Sequence, residues 1–230
     1  MQIMNVYSRK QRRRMHAIPA AIALLLLGLL WLYSSQASAE TVLDVRKLRE
    51  WQMECRHCAV EPRYDIINGE VLHLRTDYGT AALTNGYEAS DAVSAEVSWG
   101  WSLEQDNNQD AAFTLTVAMG ETGSRRIFVI HYLWDMGAEG SDIQDLGEDT
   151  YTYRLCGKEC GPRRWFEQKR DIAADLAEIT GENFAVHPLG FTLMLGRPEA
   201  RKADGSGFFS TLNVVSRPAP AAAEPVAASE

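Results

Sequence analysis

Histidine and cysteine are scarce in this 230-residue chain, at five and four residues, so bases and metal ligands are few. His57, His73, His131 and His187 are scattered, and the sequence contains no H-E-x-x-H, no G-x-S-x-G elbow, no P-loop and no dinucleotide fingerprint. Enzymes that those motifs announce are excluded, and no catalytic residue is nominated. Glycosidase carboxylates are placed by the fold rather than by a motif, so a polysaccharide-active enzyme stays as a third-ranked reading. Basic residues are also in deficit, with 23 Lys and Arg against 31 Asp and Glu. The first 39 residues hold five of the basic residues and no acidic one, leaving 18 against 31, a net of −13. A surface of that sign repels phosphate backbones, so nucleic acid is not an expected partner.

Long apolar runs are nearly absent. The one present, Ala17–Tyr33, follows Arg9, Lys10, Arg12, Arg13 and Arg14 and precedes the small-residue site Ala37-Ser38-Ala39. This is the pattern of an export signal cleaved to leave Glu40 first. A retained single-pass anchor is the alternative, since 17 residues lie at the short end of the spanning range. The expected location is periplasmic or secreted, with membrane contact only through residues 1–39 if they are kept. At the other end, 217–230 is built almost wholly of Pro, Ala, Glu and Ser, which bury too little surface to offset chain entropy. The expected organisation is one domain over 40–216 with a disordered tail.

Within that domain the strongest signal is period-two alternation broken by Gly, Asn and Asp. Strands are expected at Val71–Arg75, Ala92–Leu103, Ala112–Met119, Arg126–Trp134, Thr150–Leu155, Phe191–Leu195 and Phe208–Val215. A hairpin is expected around Gly120-Glu121-Thr122-Gly123. Strands without βα alternation argue for an all-β antiparallel sandwich or barrel. One helix interrupts them, Ile172–Ile179, with Asp171 as N-cap and Gly181 past its end.

The segment Trp165–Leu176, WFEQKRDIAADL, resembles the W-x4-R-D-L-x2-D-L segment of carbohydrate-binding-like, jelly-roll β-sandwich domains of bacterial extracellular proteins. Trp165, Arg170, Asp171, Asp175 and Leu176 match, and Gly205–Leu212 can be laid over that family's G-S-G-R-I-D-D-I strand. The resemblance covers roughly 51–215 and implies a secreted β-sandwich that binds glycan or another envelope component without catalysis. It departs at Ser210 and Thr211, where the family carries an acidic pair, and in the insertion Leu155–Arg164. Trp165, Arg170, Asp171 and Asp175 are therefore expected to be structural, with Arg170 bonding loop carbonyls and Asp171 capping the helix. The alternative from another class is a membrane-anchored structural or protein-interaction module with no sugar site.

Cys55, Cys58, Cys156 and Cys160 form two close pairs, which in an exported chain read as disulfides. A bridge between the clusters is favoured over local pairing, and would contribute up to about 4 kcal/mol by closing a loop of roughly 100 residues. A four-thiolate Zn²⁺ site and a thiol–disulfide oxidoreductase rank below it, and Ala59 after Cys58 excludes covalent haem. Trp99 and Trp101 alternate with Val97 and Leu103 as core residues, whereas Tyr132, Trp134, Tyr151 and Tyr153 flank a loop and are the expected sugar-stacking platform. That loop, Asp135–Glu148, carries Asp135, Glu139, Asp142, Asp145 and Glu148, with Asp149 beside it. Its oxygens suit a structural Ca²⁺, the only cofactor expected, though a solvated acidic loop is the plainer reading.

Overall fold

A computed structural model describes residues 38–56, 61–76, 79–87, 92–104, 112–196 and 205–218. The apolar run at 17–33, Cys58 and residues 219–230 lie outside them. Among the described residues no helix is long and apolar enough to cross a membrane.

Two antiparallel-dominated sheets of seven strands each face one another, which is the expected sandwich. The first takes β1 (Ser38–Leu43), β14 (Leu212–Pro218), β6 (Ala92–Leu103), β13 (Gly205–Ser210), β4 (Val71–Thr76) and β3 (Arg63–Ile67), with β11 (Phe166–Asp171) on the free side of β6. The second runs β2 (Gln52–Arg56), β5 (Thr80–Gly86), β12 (Val186–Leu195), β7 (Ala112–Glu121), β8 (Ile127–Asp135), β10 (Thr150–Cys156) and β9 (Asp142–Gly147). Within it β8 and β10 are parallel. The expected strand over 208–215 divides at Thr211 into β13 and β14, so one continuous run of sequence serves two neighbours in succession.

Alternation decides which side chains meet between the sheets. From β6, Val97, Trp99, Trp101 and Leu103 point inward, against Phe113, Leu115 and Val117 of β7 and Phe128, Ile130, Tyr132 and Trp134 of β8, all buried. The Trp101 ring lies 6.1 Å from both Phe113 and Trp134, and Trp99 lies 5.5 Å from Tyr132. Aromatic edge and tilted contacts thus bridge the sheets. Gly207 of β13 makes room for this packing: a Cβ there would stand 2.7 Å from the Phe113 ring.

The helix α1 (Ile172–Thr180) closes one end of the sandwich, with Ile172 and Leu176 buried. Asp171 accepts from the N–H groups of Ala173 and Ala174, both at 3.1 Å, and Gly181 ends the helix in the left-handed region, φ 76°. Both ends are as the sequence indicates. Asp171→Ala should lower the unfolding free energy by about 1 kcal/mol, read as a shift of the urea midpoint at unchanged slope.

The favoured disulfide is overturned. Cys156 and Cys160 are bonded to each other, with Cα atoms 5.9 Å apart, because the 3-10 turn Lys158–Cys160 folds the chain back immediately after β10. Cys55 is also disulfide-bonded. It sits on β2 at one edge of the second sheet, five strands from β10, roughly 24 Å along the sheet and far outside bridging distance. Local pairing also removes Cys156 and Cys160 from any four-thiolate zinc site.

Candidate functional site

The expected aromatic platform is not on the surface. Tyr132 and Trp134 are 0% exposed and Tyr151 8%, because β8 turns Phe128, Ile130, Tyr132 and Trp134 to the core together. The parallel register places Tyr151 beside Ile130 and Tyr153 beside Tyr132, so all four residues share the inner face. A buried ring offers no plane to a sugar; Tyr132 and the half-buried Tyr153 hold α1 instead. The Tyr132 hydroxyl donates to Asp175 Oδ2 at 2.6 Å, and Arg170 engages the same carboxylate through Nε at 2.9 Å and through Nη2. The Arg170 guanidinium also lies 4.7 Å from the Tyr153 ring centroid, and the Tyr153 hydroxyl donates to Glu178. Arg170 is therefore a clamp, but its partner is Asp175 rather than loop carbonyls. Burial, reinforced by the Asp175 carboxylate, pushes the Tyr132 phenol well above its ordinary value. Burial opposes the charge on Arg170, yet Asp175 outweighs it and raises the guanidinium above its usual value.

The acidic segment is half strand. Asp142–Gly147 forms β9, and its neighbours disperse onto separate partners. Arg154 pairs with Asp142 at 3.3 Å, Arg126 grips Asp149 through two nitrogens at 2.8 and 2.7 Å, and Asp135 and Asp145 accept from the N–H groups of Gly137 and Gly147. Among the described residues, the group of three side chains close enough to share a metal ion is Cys156, Glu159 and Cys160. Its two sulfurs are joined to each other.

The outward face of the second sheet has an order that follows from its registers. Gln52, Thr84, Thr192, Thr116, His131, Thr152 and Gln144 are successive partners across all seven strands. Six strand spacings make this polar row about 29 Å long. Thr84 and Thr192 hydroxyls are 3.1 Å apart, and the Thr116 hydroxyl lies 2.7 Å from His131 Nδ1, so two neighbouring pairs of the row are tied to each other. On one side runs a row of small residues, Gly86, Gly190, Ala118, Val129, Thr150 and Gly147. On the other, Ala82, Met194, Thr114 and Leu133 are buried, and the Thr114 hydroxyl donates to Gly196 O at 2.8 Å. The polar row, with small residues on one flank and buried side chains on the other, is thus the floor of a shallow trough. At its β9 end it opens into a cleft of ≈ 180 Å³ lined by Asp135, Asp142, Gln144, Thr152 and Arg154 together with Leu133 and Leu146.

Of the row, the sequence draws notice only to His131, as one of the scattered histidines. The signal existed: Thr114 and Thr116 alternate with Phe113, Leu115 and Val117, and His131 with Ile130 and Tyr132. What sequence could not supply was the register that aligns them.

The remaining motif residues lie elsewhere. Trp165 sits on the outward face of the first sheet over Gly100 and is 41% exposed. Ser210, where the family's acidic pair would begin, accepts the Gly100 N–H at 2.7 Å.

No protein-family profile matches the chain, and no curated protein does. Among solved structures it is similar to a family 11 carbohydrate-binding module from Clostridium thermocellum in complex with a β-1,3-1,4-mixed-linked tetrasaccharide, at 8% identity and TM-score 0.43, over 80% of this chain and 99% of that one. It is also similar to a carbohydrate-binding module in complex with β-1,4-galactotriose, at 10% identity and TM-score 0.41, over 77% and 99%. An endoglucanase from Rhodothermus marinus stands at 8% identity and TM-score 0.43, over 79% and 96%. No residue role passes across such distances, and the sandwich fold rests on the strand topology above.

Proposed function

We propose that this chain is an exported, non-catalytic β-sandwich that binds a neutral glycan chain across the outward face of its second sheet. The observation that carries the reading is the polar row Thr84, Thr192, Thr116, His131, Thr152 and Gln144, continuous with the cleft at Asp135, Asp142 and Arg154. Hydroxyl, imidazole, amide and carboxylate groups fixed along a line complement the many hydroxyls of an extended sugar chain. Two carboxylates against one guanidinium disfavour a polyanion. The export reading draws on the basic and apolar N-terminal segment and on the disulfides, which suit an oxidising compartment; its glycan would then be an envelope or extracellular one.

Binding of this kind is assembled from hydrogen bonds worth about 1 kcal/mol each, or about fivefold in affinity. Thr116→Val or Gln144→Ala should each weaken binding about fivefold, and His131→Ala combined with Gln144→Ala about thirtyfold. Titration calorimetry with soluble mixed-linkage β-glucan, xylan and galactomannan reads this, with thermal unfolding as the control for folding. Unchanged affinity in the double variant, or no binding to any glycan, would remove the site. Asp135 and Asp142 share one cleft, which is the observation that keeps a polysaccharide hydrolase as a second reading. Both are committed to fixed partners, Gly137 N–H and Arg154. Release of reducing ends by the purified chain would establish that reading instead.

A further inference from the structure

The first sheet carries a surface feature that the trough does not use. β11 is an edge strand whose alternation sends Phe166 inward, 5.2 Å from the Trp134 ring, and Trp165 and Glu167 outward. The Trp165 ring reaches back over β6 and settles on Gly100, where a Cβ would stand 2.5 Å from its Cζ2. No other residue type would let the indole lie so close to the sheet. Its Nε1–H is bonded to Glu167, and the preceding turn is pinned to β6 by Arg163, whose backbone N–H donates to Leu103 O at 2.6 Å. One flat face is thus seated on backbone while the residue as a whole stays 41% exposed.

Across the same face the registers place Ser102 beside Phe208 and Phe208 beside His73. Phe208 and His73 stack at 4.3 Å with 19° between their planes. His73 Nε2 lies 2.7 Å from the Ser206 hydroxyl and 3.2 Å from Glu104 Oε2, and Ser206 donates to the same carboxylate. That hydrogen bond from Ser206, aided by His73 and opposed by partial burial, holds the Glu104 carboxyl below its ordinary value. It is an ionised acceptor at neutral pH. The face therefore offers planar apolar surface interleaved with fixed carboxylates and a hydroxyl, a combination that matches a pyranose ring: an apolar C–H face to stack and hydroxyl edges to bond. An apolar protein patch would not be served by two carboxylates at its margin.

We propose that Trp165, seated on Gly100, is a second glycan platform on the face opposite the trough, with Glu167 and the Glu104–Ser206–His73 cluster as hydroxyl partners. The ligand class rests on the glycan reading above, whereas the location of the site does not. Two sites on opposite faces would let one domain bridge two chains.

Oxidation by N-bromosuccinimide, mapped by peptide mass, tests this on the whole protein. Trp51, Trp99, Trp101 and Trp134 are buried, so Trp165 should be oxidised first among the described tryptophans. Mixed-linkage β-glucan, xylan or galactomannan should slow its oxidation, both in the unaltered protein and in the His131→Ala, Gln144→Ala variant. Trp165→Ala should lose about tenfold or more in affinity at this site, Trp165→Phe should keep most of it, and Gly100→Ala, which lifts the ring, should resemble Trp165→Ala. Equal oxidation rates with and without each polysaccharide, while calorimetry still reports binding at the trough, would overturn the platform and leave the trough standing. Protection that vanishes in the trough variant would also overturn it, by showing a single site. Binding at neither face would remove both.

Discussion

Asp175→Ala should lower the unfolding free energy by about 3 kcal/mol or more. The carboxylate serves two buried or half-buried partners: the fully buried Tyr132 hydroxyl and the Arg170 guanidinium. Removing it leaves a phenol with no acceptor and a cation with no counter-charge, and each loss is a desolvation penalty rather than a missing attraction. Arg170 keeps some solvent access, its side chain 23% exposed, which holds the effect near the lower end of the range for broken buried pairs. Asp175→Asn retains an acceptor for Tyr132 and should fall between. Replacing both charges, as Arg170→Met with Asp175→Leu, should recover much of the loss, since the ionic pair itself is not strongly stabilising. Urea unfolding at neutral pH measures all three. A loss under about 1 kcal/mol for Asp175→Ala would mean that α1 is held by Ile172 and Leu176 alone.

Trp101→Ala should cost about 4 kcal/mol. Its ring is fully buried between Trp99, Phe113 and Trp134, at the centre of the contact between the two sheets. Truncation would open a cavity that the hydrogen-bonded strands β6, β7 and β8 cannot collapse around. The indole N–H of Trp101 has no hydrogen-bond partner among the described residues, as is also true of Trp99 and Trp134. Trp101→Phe removes that unpaired donor while keeping most of the ring, so it should cost only about 1 to 2 kcal/mol. Equal losses in the two variants would contradict the packing account.

The strands that the sequence reveals are those with one apolar face. Ala92–Leu103 alternates cleanly, and β6 has those bounds; the hairpin of β7 and β8 and the capped helix are legible for similar local reasons. The strands missed have no such contrast. β3, Arg63–Ile67, is exposed along its whole length, β5 is made of small residues, β9 lies hidden in an acidic run, and the edge strand β11 reads as a polar lead-in to α1. Facing is harder than existence. In Ile127–Asp135 both faces are rich in apolar residues, so periodicity cannot say whether Tyr132 and Trp134 look inward; the pairing Leu115↔Tyr132 and Phe113↔Trp134 decides it. The disulfide pairing is illegible for a related reason, since the distance between Cys55 and Cys156 is a property of strand order, which spacing does not encode.

The candidate site suffers most from this. A row drawn from seven strands takes one residue per strand, and each alone is an ordinary Thr, His or Gln. Trp165 illustrates the converse, because the motif match implies only a structural role while the glycine that seats its ring lies 65 residues earlier on a neighbouring strand.

Backbone amide chemical shifts followed during titration with an oligosaccharide of whichever glycan binds test the central claim most directly. The account predicts that the largest changes fall along the trough, at Thr84, Thr192, Thr116, His131, Thr152 and Gln144, and fade beyond the buried row at Ala82, Met194 and Leu133. Saturable changes confined to other surfaces, with this row unmoved, would contradict it.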